Sequence, residues 1–250
     1  MKVRICDGRR YISLFLALSI LFCAILFCLA AMGEKFSIYS AKSNNNIFAD
    51  ADLPVTVVID PGHGGEDGGA VGADGVTEKD LNLSIAFIVC DILKQNGINA
   101  VMTRTEDVLL YDKNSDHYGQ KKIQDLSTRR RIAESYENAV LVSIHMNAFP
   151  DDRYSGLQVY YSKNAPDSKI IAERIQDLTR ELLMPENNRR IKASNGSIYL
   201  LDRLSCPAVL IECGFLSNDR ECAMLADKDY QKKLSLCICS VIMEYIGDGT

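Results

Sequence analysis

The sequence predicts a single layered α/β domain: a twisted, mixed but mostly parallel sheet of about six strands, flanked by helices. Apolar, β-branched runs of strand length alternate along the chain with longer stretches of helical periodicity, which is typical of layered α/β proteins. With 250 residues, 47% of them hydrophobic and 24% charged, the chain can form one core of good size. Two strand-type runs within 139–161 have no helix between them, so we expect a hairpin there.

The expected elements follow the changes in periodicity along the chain. The first strand is a β-branched run that begins at Val55 and stops at the turn residues Asp60-Pro61-Gly62. A helix follows because Thr77 can act as its N-cap, with Asp80 three residues later in the manner of a capping box. On such grounds we expect strands near 55–60, 98–103, 139–144, 156–161, 197–201 and 208–212, and helices near 80–96, 126–136, 167–184 and 228–246, with a short one after Asn218.

The N-terminal residues predict a membrane-targeting segment that precedes the domain. Basic residues come before an uncharged apolar stretch at 11–32, which is close to the roughly 20 residues that span a bilayer. The basic flank predicts that the N-terminus stays in the cytoplasm and that the rest is extracytoplasmic. We therefore expect a transmembrane or signal segment at 1–33, a tether at 34–53 and a catalytic domain at 54–250. Retention as an anchor and cleavage as a signal peptide both stay open.

Charge and cysteine usage limit the classes of partner and scaffold. The net charge of −5 gives no reason to expect nucleic acid. Basic clusters at 121–122, 129–131 and 189–192 are either a solvated face or contacts to substrate carboxylates. Nine cysteines in an exported chain invite disulfides, but the six in the domain lie mostly in apolar patterns. We expect these six to be buried free thiols.

Four chemically capable side chains lie at the ends of predicted elements. His63, His145 and Glu212 each close an apolar strand-type run, and open α/β sheets bind ligands at the carboxyl ends of their strands. Glu78 opens the first helix. Imidazole and carboxylate are the ligands of a catalytic zinc, usually three from the protein with a position left for water. The set predicts a zinc hydrolase in which the fourth group acts as acid and base, although any one of these residues alone has ordinary structural explanations.

Other residues near these four admit more than one interpretation. Asn147 lies two residues after His145, so it shares a strand face with that residue and could contact substrate. Asp60 could accept a hydrogen bond from an imidazole N–H of the site. The Cys213 thiol either competes for the metal or points to the opposite face of its strand. His117 lies in a polar stretch with no strand before it, and we interpret it as a solvated loop residue.

Four ordered blocks of the sequence carry a resemblance to a known family. They are VIDPGHGG at 58–65, the pair Glu78-Lys79, SIHMNA at 143–148 and ECGFLSN at 212–218. Together they resemble the signature of zinc-dependent N-acetylmuramoyl-L-alanine amidases, which cut peptidoglycan between the lactyl group of muramic acid and L-alanine. The resemblance covers roughly 55–246. It implies that His63, Glu78 and His145 bind Zn²⁺, and that Glu212 moves the proton from water to the departing nitrogen.

Within that family, the chain looks most similar to the sporulation and germination-specific cortex amidases of the CwlD type. This narrower resemblance implies a role in forming muramic-δ-lactam at the forespore cortex, with peptidoglycan as substrate and an extracytoplasmic location. It leaves room for a regulatory or deacetylase partner protein, and we expect a monomer. We see no room between His145 and Glu212 for a long autoinhibitory insertion.

Three other functions stay open at this stage. The same metal chemistry could serve a zinc peptidase or carboxypeptidase that acts on the stem peptides of peptidoglycan. The enzyme could equally be a vegetative cell-wall autolysin. A wall-binding protein with a decayed site would have lost one of the four groups, and all four are present here.

Overall fold

A computed structural model of the protein describes residues 54–72, 75–113 and 120–247. The strands are β1 (Thr56–Pro61), β2 (Asn99–Met102), β3 (Ala139–Asn147), β4 (Gln158–Tyr161), β5 (Lys192–Ala193) and β6 (Ala208–Phe215). The helices are α1 (Glu78–Gln95), α2 (Lys121–Glu134), α3 (Asp167–Leu182), α4 (Tyr199–Arg203), α5 (Asp219–Ala226) and α6 (Lys228–Gly247). The fold class predicted from the sequence is confirmed, since helices flank one mixed sheet of six strands.

The strand order places the ends of three strands side by side. The sheet runs β2-β1-β3-β6-β4-β5, with β2, β1, β3 and β6 mutually parallel and β4 antiparallel to β6. Ile59 is the register partner of Val142, and His145 is the partner of Glu212. The carboxyl ends of β1, β3 and β6 therefore share one edge of the sheet, where ligands bind in folds of this kind.

Side chains alternate between two apolar layers on the two faces of the sheet. Along β6, Val209, Ile211 and Cys213 pack into the larger core with α1, α3 and α6. The alternate residues Ala208 and Leu210 pack into the smaller core, to which α2 and α4 contribute. Because successive strand residues face opposite sides, Glu212 projects toward the α2 and α4 side.

Two predictions about the sheet are wrong. No hairpin joins β3 and β4, because β6 lies between them and pairs with both. The strand expected at 197–201 is instead the short helix α4, and the sixth strand is the two-residue β5. The Asp202 carboxylate accepts hydrogen bonds from the backbone amides of Ile198 and Gly196, at 3.0 and 3.2 Å. These bonds satisfy amides at the start of a helical turn, which an apolar run alone does not reveal.

The start of α1 also differs from the expected capping box. Thr77 is the N-cap residue, but its hydroxyl makes no capping bond and instead donates to Asp80 Oδ2 at 2.6 Å. The first helical amides donate to the preceding loop, from Glu78 to the carbonyl of Ala70 at 2.9 Å and from Lys79 to that of Gly68 at 3.2 Å. The glycine-rich loop is thereby attached to the helix, which fixes Glu78 against it.

The structure tests the expectation for the domain cysteines but not the one for the N-terminal segment. The six domain cysteines are free, and five of them are buried, as predicted. No helix in the described part of the chain is long and apolar enough to cross a bilayer. The N-terminal segment at 1–33, the tether at 34–53 and His117 lie outside the described residues, so those expectations stay predictions.

Candidate metal centre

The turn after β1 presents His63 in a backbone conformation that side chains rarely adopt. His63 has φ of 60°, in the left-handed region that costs a non-glycine residue free energy unless its surroundings hold it there. Two buried arginines supply that support. Arg129 donates to the carbonyls of His63 and Pro61, each at 2.7 Å, and Arg104 donates to the carbonyl of Gly62 at 3.0 Å.

Two glycines of this loop are required by close approach to the candidate ligands. A Cβ on Gly62 would overlap the His145 ring, and a Cβ on Gly69 would overlap Glu78 Oε2. Gly69 also has φ of 65°, which favours glycine. The loop can therefore pass directly against both side chains.

Three of the four predicted groups meet at one carboxylate oxygen. Glu78 Oε1 lies 3.1 Å from His63 Nε2 and 2.9 Å from His145 Nδ1. One nitrogen or oxygen from each of the three residues lies within 4.8 Å of the other two. Among the described residues, this is the group of His, Cys, Asp or Glu side chains whose donor atoms are close enough to share a metal ion.

Neighbouring groups fix the Glu78 carboxylate from several directions. Its Oε1 accepts a hydrogen bond from the backbone amide of Met146 at 3.0 Å, and its Oε2 accepts one from that of Ala70 at 2.8 Å. Burial alone would raise the pKa of Glu78, but the hydrogen bonds and charges of His145 and His63 outweigh it and hold the pKa well below 4.5. The carboxylate is therefore ionised at neutral pH.

Two supporting residues were missed in the sequence. Asp67 Oδ1 lies 3.0 Å from His63 Nδ1, and Asn82 donates to Glu78 Oε1 at 3.4 Å and to the carbonyl of Gly62 at 3.1 Å. Asn82 follows Glu78 by four residues on α1, so helical spacing could have identified it. For Asp67, the available signal was an acidic residue four positions after His63 in the same loop.

Glu212 lies beside this cluster with one oxygen unpaired. It is partly exposed, but its Oε2 atom is buried and has no hydrogen-bond partner among the described residues. Burial raises the pKa of Glu212, and the Glu78 charge adds to this, against the lowering effect of His145, His63 and Arg189. A carboxylate with a raised pKa and an acceptor oxygen without a hydrogen-bond partner is suited to take up and release a proton.

These groups open into a cavity of about 360 Å³. His63, His145 and Glu212 line it together with residues of α2 and α4. The α4 wall is the segment that sequence patterns mistook for a strand. Polar and aromatic side chains that were not among the predicted site residues also line this cavity: Lys122, Ser143, Tyr160, Ser197 and Tyr199.

The predicted interaction between Asp60 and an imidazole is not found. Within the described residues, Asp60 accepts hydrogen bonds from Thr103 and Ser143, each at 2.7 Å, and from Arg129 at 2.8 Å. Burial alone would raise the pKa of Asp60, but the Arg129 charge and these hydrogen bonds outweigh burial. The pKa of Asp60 therefore lies below its ordinary value of 3.8. Arg129 is itself 1% exposed, so a solvated face is the wrong interpretation for this member of the basic cluster.

The remaining two candidates, Asn147 on β3 and Cys213 on β6, lie near an irregularity in the pairing of these two strands. The register between β3 and β6 shifts after His145, so that Asn147 is paired with Phe215. Asn147 is the last residue of β3 and does not line the 360 Å³ cavity. Its contact with substrate stays a prediction. Cys213 faces the larger core and is fully buried, and burial strongly raises the pKa of its thiol, so the interpretation as a buried apolar residue is confirmed.

Comparison with known proteins gives this geometry a family. The family model described as N-acetylmuramoyl-L-alanine amidase matches residues 57–244. The chain belongs to this amidase family. It is 37% identical over 209 residues to the germination-specific N-acetylmuramoyl-L-alanine amidase of Bacillus subtilis, across 82% of this chain and 87% of that protein.

Solved amidase structures share the fold. The CwlD amidase from Clostridioides difficile, solved in complex with the GerS lipoprotein, superposes with a TM-score of 0.72 at 38% identity. That alignment covers 77% of this chain and 98% of the other. The amidase AmiC2 of Nostoc punctiforme gives a TM-score of 0.66 at 31% identity, over 77% and 97% of the two chains. The chain is therefore an N-acetylmuramoyl-L-alanine amidase, a hydrolase of cell-wall peptidoglycan.

Proposed function

We propose that this amidase is a zinc enzyme of the spore cortex, where it cuts the bond between N-acetylmuramic acid and L-alanine on the way to muramic-δ-lactam. The observation that carries the zinc assignment is the approach of His63 Nε2 and His145 Nδ1 to one oxygen of Glu78. Three donor atoms from separate elements lie within 4.8 Å of one another, and the third belongs to an ionised carboxylate.

The donor set fits zinc. Two imidazoles and one carboxylate are a ligand set of catalytic zinc sites, with a fourth position left for water. We assign the three ligand positions to His63, Glu78 and His145. When bound, zinc lowers the pKa of water to about 7 and polarises a carbonyl.

The chain's own residues supply the proton transfer. We assign Glu212 Oε2 as the atom that accepts the proton of the attacking water and then returns it to the departing L-alanine nitrogen. Its lack of a hydrogen-bond partner within the described residues leaves this oxygen available. Asn82 donates to the Glu78 carboxylate, and the Asp67 carboxylate lies 3.0 Å from His63 Nδ1; we propose that these two contacts restrict the movement of the two ligand side chains.

The cortex assignment rests on relatives and on the N-terminal sequence. The Bacillus subtilis relative is named germination-specific, and the Clostridioides difficile structure contains a lipoprotein partner. We propose a corresponding regulatory partner protein for this chain. The apolar segment at 11–32 would carry the domain to the extracytoplasmic side, either as an anchor or as a cleaved signal.

Product analysis on purified peptidoglycan tests the bond that is cut. The amidase releases new L-alanine amino ends and leaves the glycan intact, and Glu212→Gln is expected to remove this activity while the protein still binds one zinc. Release of single D-alanine instead would identify a carboxypeptidase. Wild-type activity in Glu212→Gln would refute the proton-transfer assignment.

Muropeptide analysis of spores that lack the protein tests the cortex role. We expect muramic-δ-lactam to be absent from their cortex and vegetative walls to be unchanged. Normal lactam together with altered vegetative septa would show a vegetative autolysin.

A further inference from the structure

A second cavity, of about 680 Å³, is lined by none of the proposed metal ligands. It is formed by the connection between β3 and β4 at 151–156, by the segment after α3 at 183–189 and by residues 218–224 around the start of α5. Arg189 is one of its lining residues, and its guanidinium lies 4.8 Å from the ring centroid of Phe215. Arg189 Nη2 also donates to Gln158 Oε1, and Gln158 is the register partner of Glu212, so Arg189 lies close to the proposed proton carrier.

The backbone of Arg189 is held in place before any ligand arrives. Its amide donates to Asn187 Oδ1 at 3.1 Å, and its carbonyl accepts from Arg180 Nη2 at 2.9 Å. Asn187 is attached in turn to the carbonyl of Leu157 at 2.8 Å. A side chain presented by such an anchored loop loses little further freedom on binding, which favours recognition.

Within the described residues the Arg189 guanidinium forms no salt bridge, although its charge opposes the burial that raises the pKa of Glu212 and of Glu221. Its Nη2 donates to the neutral Gln158 amide at 3.0 Å, and its buried Nε has no hydrogen-bond partner. The nearby Glu221 carboxylate is already occupied by the backbone amides of Gly156 and Phe215, each at 2.8 Å. A guanidinium matches a carboxylate well in geometry, and the unpartnered Nε leaves this guanidinium able to bind a carboxylate of a ligand.

The chemistry of the substrate identifies which carboxylate fits. The lactyl carboxyl of the muramic acid is tied up in the scissile amide, so the glycan around that bond offers no anion. The stem peptide does, because its second residue, glutamate, is joined through its side chain and keeps a free α-carboxylate one residue from the cut. We propose that the second cavity binds the stem peptide, with Arg189 on this α-carboxylate, while the sugar occupies the smaller cavity lined by Tyr160 and Tyr199. This inference rests on the amidase function proposed above.

A pair of matched substrates tests the inference directly. Soluble glycan fragments would carry either L-alanyl-glutamate with the free α-carboxylate or L-alanyl-isoglutamine, in which an amide replaces it. The wild-type enzyme is expected to show about 10- to 100-fold higher kcat/KM on the carboxylate form, chiefly through KM. Arg189→Gln should remove this preference, and Arg189→Lys should retain part of it. Any effect of Arg189 on Glu212 would change kcat/KM equally for both substrates. It therefore cancels in the ratio of the two kcat/KM values.

Arg153→Gln is the matched control, since Arg153 lines the same cavity but is 86% exposed and pairs with Asp151. This variant is expected to keep the wild-type ratio within about twofold, and thermal melting checks that each variant folds. An unchanged ratio in Arg189→Gln, or an equal loss on both substrates, would overturn the inference. Glu212→Gln separates the two proposals: if it abolishes both reactions, the amidase mechanism stands whatever the Arg189 result.

Discussion

At the residue scale, the candidate site depends on where one carboxylate is held. Glu78 Oε1 is shared by two imidazoles and a backbone amide, so a small displacement of Glu78 would disturb all three contacts. Gly69 lies directly against this carboxylate, because a Cβ there would overlap Glu78 Oε2.

Gly69→Ala is therefore expected to lower zinc affinity by at least about tenfold. The added methyl group must displace Glu78, and a positive φ at an alanine costs a further 1–2 kcal/mol or so. Titration against a competing zinc chelator measures the affinity. The matched control is Gly68→Ala, because a Cβ at Gly68 meets nothing within 4 Å; equal affinity in both variants would contradict the prediction.

The sequence predicted the four chemical groups but not their supports. His63, His145 and Glu212 were identifiable because each closes an apolar run, which is a local signal. The partner of Asp60 could not be identified from the sequence, because Arg129 lies 69 positions away. It is also on a helix whose sequence pattern suggested an exposed basic cluster. Long-range pairing of buried charges leaves no local periodicity.

At the element scale, α2 supports the turn after β1 through a single buried side chain. Arg129 is bonded to Asp60 and Asp125, each at 2.8 Å, as well as to the carbonyls of Pro61 and His63. Removing it would leave Asp60 and Asp125 without their ion-pair partner and would remove the hydrogen bonds to the Pro61 and His63 carbonyls.

Arg129→Met is expected to lower the free energy of unfolding by about 3–5 kcal/mol and to weaken zinc binding as well. Chemical denaturation and chelator competition measure the two effects. Arg131→Met, on the exposed face of the same helix, is the control and should cost no more than about 0.5 kcal/mol. Unchanged stability in Arg129→Met would show that the turn does not depend on α2.

The misassigned elements also have a physical explanation. The run before Leu201 has strand-like composition, yet Asp202 bonds the amides of Ile198 and Gly196 and stabilises a helical turn there. The two-residue β5 is too short to produce any alternation. Strand neighbours are equally nonlocal, so nothing in the run at 139–161 reveals that β6 inserts between β3 and β4.

At the scale of the whole molecule, parallel pairing assembles the site from distant segments. The carboxyl ends of β1, β3 and β6 bring His63, His145 and Glu212 to one edge of the sheet, and α1 adds Glu78. This edge also holds the buried ion pair of Asp60 and Arg129. The charges that stabilise the fold here therefore also hold the turn that carries His63.

Acid should therefore reduce stability through Asp60. The folded pKa of Asp60 lies below its ordinary value of 3.8, so the stabilisation it provides is present above that value and is lost as pH falls through the folded pKa. Denaturation of the metal-free protein between about pH 5 and pH 2 should show a decline in unfolding free energy that is less steep in Asp60→Asn. Identical slopes in the two proteins would contradict this account.

The most direct test of the central claim is the position of zinc in crystals of the purified protein, measured by anomalous scattering at the zinc absorption edge. We expect one zinc ion bonded to His63 Nε2, His145 Nδ1 and Glu78, at about 2.0–2.2 Å from each ligand atom, with Glu212 close by and not bonded to it. A zinc ion at another place, or one bonded to Glu212 in place of any of the three, would contradict the account.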